Sequence, residues 1–210
     1  SLKIESDQEL NLVYIDDLIS DFHNNLTRYK IGFNYYEVTP QYKISISKLA
    51  KHIKQFKDSR KDLLVDDLGK GFLKKLYATY LSYTLEKDFS YGLTKNTDKR
   101  GDFIEIIKSK ESGQISYFTA HPGITRGGHY HNTKCEKFFV IHGKAKFKFK
   151  NIISNKCWEK ISSDNSSEII ESIPGWSHNI TNIGEEELKV LVWSSELFDQ
   201  NNPDTYWSKI

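Results

Sequence analysis

Residues 123–143 read GITRGGHYHNTKCEKFFVIHG, and this stretch decides the fold. His129 and His131 are separated by one residue, so on a β-strand both side chains leave one face while Tyr130 leaves the other. After a short polar turn Glu136 opens a new apolar strand that runs to Gly143, and it can face the same interior. A further imidazole is offered by Pro174-Gly-Trp-Ser-His178, where a Pro-Gly turn delivers a histidine at the start of another strand. The chain has only seven His, and five of them (His121, His129, His131, His142, His178) lie in its second half. Imidazoles and a carboxylate converging inside a barrel make a borderline-hard donor set suited to Zn, Fe, Mn or Ni.

Outward from this stretch the hydrophobic period is two. Ile104 and Ile106; Ile115, Tyr117 and Thr119; Phe138 and Val140; Phe147 and Phe149; Ile169 and Glu171; and Val190 and Val192 all suit short strands separated by Gly, Asn, Asp and Ser clusters. That is the pattern of a β-sandwich or barrel, with no helix of consequence. In Lys144–Lys150 lysines alternate with Ala145, Phe147 and Phe149, which reads as a solvated barrel face in preference to a phosphate-binding strip. His142, just before the Gly143 turn, is expected at the rim.

The first hundred residues read as helices with a few strands. Asn11–Ile15 suits a strand, and Asp16-Asp17 then cap a helix with Leu18, Ile19, Phe22 and Leu26 on one face. Phe33–Val38 is a second strand candidate. A helix capped by Ser45 or Ser47 carries Leu49, Ile53 and Phe56, and a third runs from about Leu68 to Leu85, with Phe72, Leu73, Leu76, Tyr80 and Tyr83 as its buried stripe. His23 and His52 are expected on helix surfaces. The polar stretch Lys95–Gly101 is the expected domain boundary.

With 210 residues, 38% of them apolar, the chain can build one large domain or two modest ones. Thirty basic and 28 acidic side chains are scattered along it, so the strong field of a nucleic-acid binder is missing. No window approaches the roughly 20 apolar residues that span a bilayer, and the start lacks a signal peptide, so no membrane partner and a cytoplasmic location are expected. Cys135 and Cys157 are expected as free, buried or half-buried thiols. The chain contains no Met and does not begin with one, which leads us to expect an excised internal or carboxy-terminal segment with Ser1-Leu2 as a scar.

Two spacings carry a resemblance. Gly123-x5-His129-x-His131-x4-Glu136-x6-Gly143 resembles the first cupin motif, and Gly175-x2-His178-x3-Asn182 the core of the second, although Pro174 directly precedes Gly175 and the leading Gly is absent. More narrowly, Arg100–Glu105, His129–Phe138, Ile173–Gly184 and Phe198–Tyr206 resemble the tail of the CapF-type bifunctional enzymes of capsular polysaccharide synthesis. Val13–Asp17, Ile46–Ala50, Phe56–Arg60 and Leu76–Tyr83 resemble the last third of their short-chain dehydrogenase/reductase domain.

The resemblance implies an α+β chain. Residues 1–98 would be the helix-rich end of an extended reductase domain lacking its Rossmann half, and residues 99–210 an all-β cupin, or double-stranded β-helix, barrel. No Gly-x-x-Gly-x-x-Gly loop follows a strand and no Tyr-x-x-x-Lys pair sits where the reductase needs it, so NADPH belongs only to the full-length enzyme. The barrel is then expected to epimerise C3 of a UDP-2-acetamido-2,6-dideoxy-4-hexulose on the way to UDP-N-acetyl-L-fucosamine, with a homodimer formed through the cupin. His129, His131, Glu136 and His178 would hold a divalent metal, zinc first among the candidates. Tyr117 and His121, on one strand face, are the candidate acid and base. Lys137 is expected to point outward, and Lys134, in the turn between ligands, to meet the substrate's phosphates. The competing readings are a non-catalytic, zinc-stabilised sugar-binding and dimerisation module and, from the generic motif alone, an iron oxygenase.

Overall fold

In the computed structural model, which describes residues 4, 6–26, 32, 33 and 35–210, Glu9–Leu12 (β1) is followed by the helix Ile15–Leu26 (α1). Ser1 and Leu2, read as a scar, lie outside the described residues. Tyr42–Ser45 (β2) pairs antiparallel with β1 and runs into Ile46–Asp62 (α2), whose first turn is held by a side chain from far upstream. The Asp7 carboxylate accepts from both the backbone N–H and the hydroxyl of Ser47, each at 2.8 Å. Leu64–Val65 (β3) precedes Gly71–Ser82 (α3), and Phe56 of α2 is buried edge-on against Tyr77 and tilted against Tyr80 of α3, at 5.0 and 5.7 Å.

Several expectations for this half need correction. The α3 stripe is half-buried, with Tyr83 fully exposed beyond the helix end, and the α1 face is not covered: Leu18, Ile19, Phe22 and Leu26 are all exposed. His52 is half-buried beside the rings of Phe56 and Phe72, because α2 turns it toward α3. No strand forms over Phe33 and residues 35–38, where no neighbouring strand offers a ladder, and Asn34 lies outside the described residues.

The chain divides into two compact units, Ser1–Arg60 with Asp67–Phe89, and Lys61–Asp66 with Ser90–Ile210. In the second, the strands are Lys95–Asp98 (β4), Gly101–Ser109 (β5), Gly113–Ala120 (β6), Thr125–Tyr130 (β7), Glu136–His142 (β8), Lys144–Asn151 (β9), Cys157–Ser163 (β10), Ile170–Ser172 (β11), Trp176–Asn182 (β12), Leu188–Ser194 (β13) and Tyr206–Trp207 (β14). The stretch read as a boundary thus forms β4 and the turn into β5. One sheet has the order β10-β9-β12-β7-β14. The other runs β11-β8-β13-β6-β5-β3, with β3 parallel to β5 and β4 on the same partner.

From β6 to β9 every successive strand changes sheet, as do β11 to β14, and this winding is the cupin double-stranded β-helix. The inner faces meet in an apolar core that includes Phe118, Phe138, Phe147, Phe149, Leu188 and Val190. Asn182 is fully buried; its amide donates to the carbonyls of Ala120 and Glu186 and its oxygen accepts from Gly184, which ties the end of β12 to β6. Lys146 and Lys148 point outward and share Glu159 of β10, so the lysine strip is a solvated face whose charge is offset in part. Cys157 is exposed, not buried or half-buried, because the whole start of edge strand β10 faces water. No described helix is long and apolar enough to cross a membrane.

Inward parity departs from the apolar alternation on three strands. On β6 the inner residues are Gln114, Ser116 and Phe118; on β11, Ile170 and Ser172; and on β5, Phe103 and Glu105, which stand opposite Phe118 and Ser116. Small polar side chains take the interior here because this end of the barrel surrounds a polar site.

Gly127 on β7 has φ +92°, and a Cβ there would stand 2.7 Å from the carbonyl oxygen of His178, at the bulge where β12 shifts register. Gly127→Ala is therefore expected to cost about 1–3 kcal/mol by urea denaturation. Gly128→Ala, with φ +87° but open space, should lose less.

Candidate metal centre

The strand register assembles the site. His178, the third residue of β12, lies directly opposite His129 of β7, and His131 follows one residue after that strand ends. Glu136, the first residue of β8, is held by its neighbours on both sides: its N–H donates to Ser172 Oγ at 2.9 Å, and Ser194 Oγ donates to its Oε1 at 3.3 Å. Its other oxygen, Oε2, lies 3.2 Å from His131 Nε2 and 3.3 Å from His178 Nε2. One donor atom from each of the four residues falls within 4.8 Å of the others.

Burial sets the electrostatics. His131 and His178 are each 2% exposed. Burial, reinforced by the neighbouring His178 and His131, pushes the His129 imidazole down to about 4, so it is neutral at physiological pH. For Glu136 burial works toward the neutral acid, but hydrogen bonds from His131 and His178 overcome it and hold the carboxyl well below the usual range. Three imidazoles around an ionised carboxylate form a donor set suited to a divalent cation, and the cluster can hold one.

The surroundings orient the ligands. His131 Nδ1 donates to the backbone carbonyl of Asp204, which holds the ring with Nε2 turned toward Glu136. The Asp204 carboxylate gathers the N–H groups of Asn132, Thr133 and Lys134 and the Thr133 hydroxyl at 2.7–2.9 Å. Burial opposes its ionisation, yet these donors hold its carboxyl well below the usual range. Ser208 N–H donates to the Gly128 carbonyl, Tyr206 stacks on Tyr130, and the Trp207 ring stands at 6.0 Å from that of His129. His178 Nδ1 is buried with no hydrogen-bond partner among the described residues, so packing against Phe138 and Phe149 orients this ring, at 5.8 and 5.7 Å.

A cavity of about 280 Å³ reaches Glu136; Glu105, Gln114, Ser116, Lys134 and Phe198 are among its walls. Lys134, expected near the ligands, is buried there with Nζ donating to Thr205 Oγ1 at 3.1 Å. Tyr117 and His121, the predicted acid and base, are not brought to the cluster. Tyr117 faces outward from β6 because the inward parity belongs to Gln114 and Ser116, and it stands in a row with Ile104 and Leu191. His121 lies past the end of β6, half-exposed, with Glu187 at 3.9 Å. Lys137 points outward, paired with Glu171, and His142 sits at the rim near Glu186 and Asp164. Asp204 was missed because its partners lie some 70 residues upstream, and its one signal was membership of the Phe198–Tyr206 segment.

The family model described as "Polysaccharide biosynthesis C-terminal domain" matches residues 96–206. The chain is 46% identical over 201 residues to UDP-2-acetamido-2,6-beta-L-arabino-hexul-4-ose reductase of Pseudomonas aeruginosa, covering 96% of this chain and 54% of that protein. Crystal structures of CapF superpose on the whole chain at 35% identity. One, with the inhibitor 3-isopropenyl-tropolone, gives a TM-score of 0.92 with 61% of its chain covered; another, the capsular polysaccharide assembling protein CapF from Staphylococcus aureus, gives 0.89 with 57% covered. The chain thus spans about half the length of the curated relative.

Asp204→Ala leaves the four ligands in place but frees the turn that carries His131. It is expected to weaken Zn²⁺ binding by about 10- to 100-fold in a chelator competition, with the barrel still folded by circular dichroism. Unchanged affinity would detach this carboxylate from the site.

Proposed function

Because this chain belongs to the polysaccharide biosynthesis C-terminal domain family, we propose that its barrel catalyses metal-dependent epimerisation at C3 of a UDP-2-acetamido-2,6-dideoxy-4-hexulose, on the way to UDP-N-acetyl-L-fucosamine. The observation that carries the reading is the cluster of His129, His131, Glu136 and His178, whose Glu136 lines a cavity large enough to admit a sugar ring. A C4 ketone acidifies the proton on C3, so inversion there needs a proton acceptor, a proton donor and stabilisation of charge on the ketone oxygen. A divalent ion bound by the four residues, zinc in our reading, would supply that stabilisation as a Lewis acid. The protein's own part is to gather the imidazoles around Glu136, to keep the pocket polar through Gln114, Ser116 and Ser194, and to present the Lys134 ammonium to the substrate.

Residues 1–98 are, in this reading, the end of a reductase domain. The exposed apolar face of α1 supports it, since an amphipathic helix of this kind normally buries that stripe. Reduction at C4 with NADPH is assigned to the part of the relatives that this chain does not match.

We further infer a homodimer through the cupin. Ile104, Tyr117, Leu191 and Phe139 lie side by side in register across the outer face of the larger sheet, an apolar row of the kind a partner covers. Phe139, 36% exposed, tests this: Phe139→Asp is expected to shift the sedimentation profile from dimer to monomer. An unchanged profile would remove this face as the interface.

The activity is tested by incubating metal-loaded protein with the 4-keto sugar nucleotide in deuterated water. Deuterium is expected at C3, and chelation should abolish it while elemental analysis reports the ion lost. A folded, metal-loaded sample that incorporates none would leave the barrel as a zinc-stabilised sugar-binding and dimerisation module.

A further inference from the structure

The β5–β6 ladder contains a slip that the metal centre does not require. Phe103 stands opposite Phe118 and Glu105 opposite Ser116, but the next pair is Ile107 with Ile115, so one residue of β5 is extra. The bulge resets the parity of the strand. Glu105 before it and Lys108 after it, the latter opposite Gln114, thereby share the interior side of the sheet, and their charged ends meet at 2.7 Å. Bulges beside active sites re-aim side chains, and this one brings Lys108 to the side of Glu105, which lines the cavity that contains Glu136 and Lys134.

The two carboxylates are differently placed. Glu136 is engaged by two imidazoles and a serine hydroxyl, whereas Glu105, which stands on β5, has among the described residues a single side-chain ion pair. Glu196 also lines the cavity, but from the segment beyond β13. Lys134, 8% exposed and held by Thr205, adds a fixed positive charge to the same space.

We propose that Glu105 is the general base of the C3 epimerisation, an assignment that rests on the epimerase reading above. Its carboxylate oxygen forms an O–H bond as the C3–H bond breaks. The freed pair becomes the C3–C4 double bond and the carbonyl π pair moves onto the C4 oxygen, near which Lys134 stabilises the negative charge. A proton from water at the opposite face of C3 then restores the ketone with that centre inverted, and Glu105 returns its proton to solvent.

The test compares deuterium incorporation at C3 in the metal-loaded parent and in Glu105→Gln, with metal content and thermal midpoint measured on each. Glu105→Gln is expected to slow exchange by roughly 100-fold or more while keeping its metal and fold, and Glu105→Asp to recover part of the rate. Lys108→Met, which breaks the ion pair but keeps the carboxylate, and Glu196→Gln should each stay within about tenfold of the parent. Exchange in Glu105→Gln within about threefold of an active parent would overturn the assignment and leave the epimerase reading standing. So would a loss in Lys108→Met equal to that in Glu105→Gln, which would make the pair structural. A parent that does not exchange at all sinks the epimerase reading, and the role of Glu105 with it.

Discussion

The barrel is organised around one buried carboxylate. Taking the Glu136 charge out of water is costly, and an uncompensated carboxylate at this depth would simply bind a proton. It stays ionised because imidazoles from β12 and from the end of β7 converge on one of its oxygens while a serine of β13 donates to the other. β7 and β12 must lie in the register that sets His129 against His178, and Gly127 must leave room for the carbonyl of His178.

The same requirement explains why the site is closed by chain from elsewhere. An imidazole that points one nitrogen inward needs its other nitrogen satisfied or sequestered. His131 takes the first course, through the carbonyl of Asp204, and His178 the second, between two phenylalanines. The Asp204 side chain accepts from four donors in the turn between His131 and Glu136, so a single residue steadies both the ring and the loop that separates these two residues.

The four clustered residues could be read from the sequence because strand periodicity and short spacings survive folding unchanged: i and i+2 share a face whatever the tertiary context. Parity on β5, β6 and β11 could not be read that way. The usual inference that apolar side chains face inward fails where the interior is a polar pocket, and it led to Ile104, Tyr117 and Ile169 in place of Glu105, Ser116 and Ser172. Tyr117 was expected on the inner face for that reason, since the strand itself was found. The bulge in β5 and the contacts of Asp204 depend on pairing between distant segments, to which local pattern is blind. The α1 stripe was legible as amphipathic, but a hydrophobic pattern does not say whether its cover lies within the same stretch of chain.

The strap at Asp204 also bears on the order in which the site is built. His131 and its carbonyl partner are 73 residues apart in the chain. His129, His131, Glu136 and His178 all precede the segment that orients the His131 ring and closes over Gly128. The support of the cluster is therefore complete only when the chain beyond β13 has come back to it.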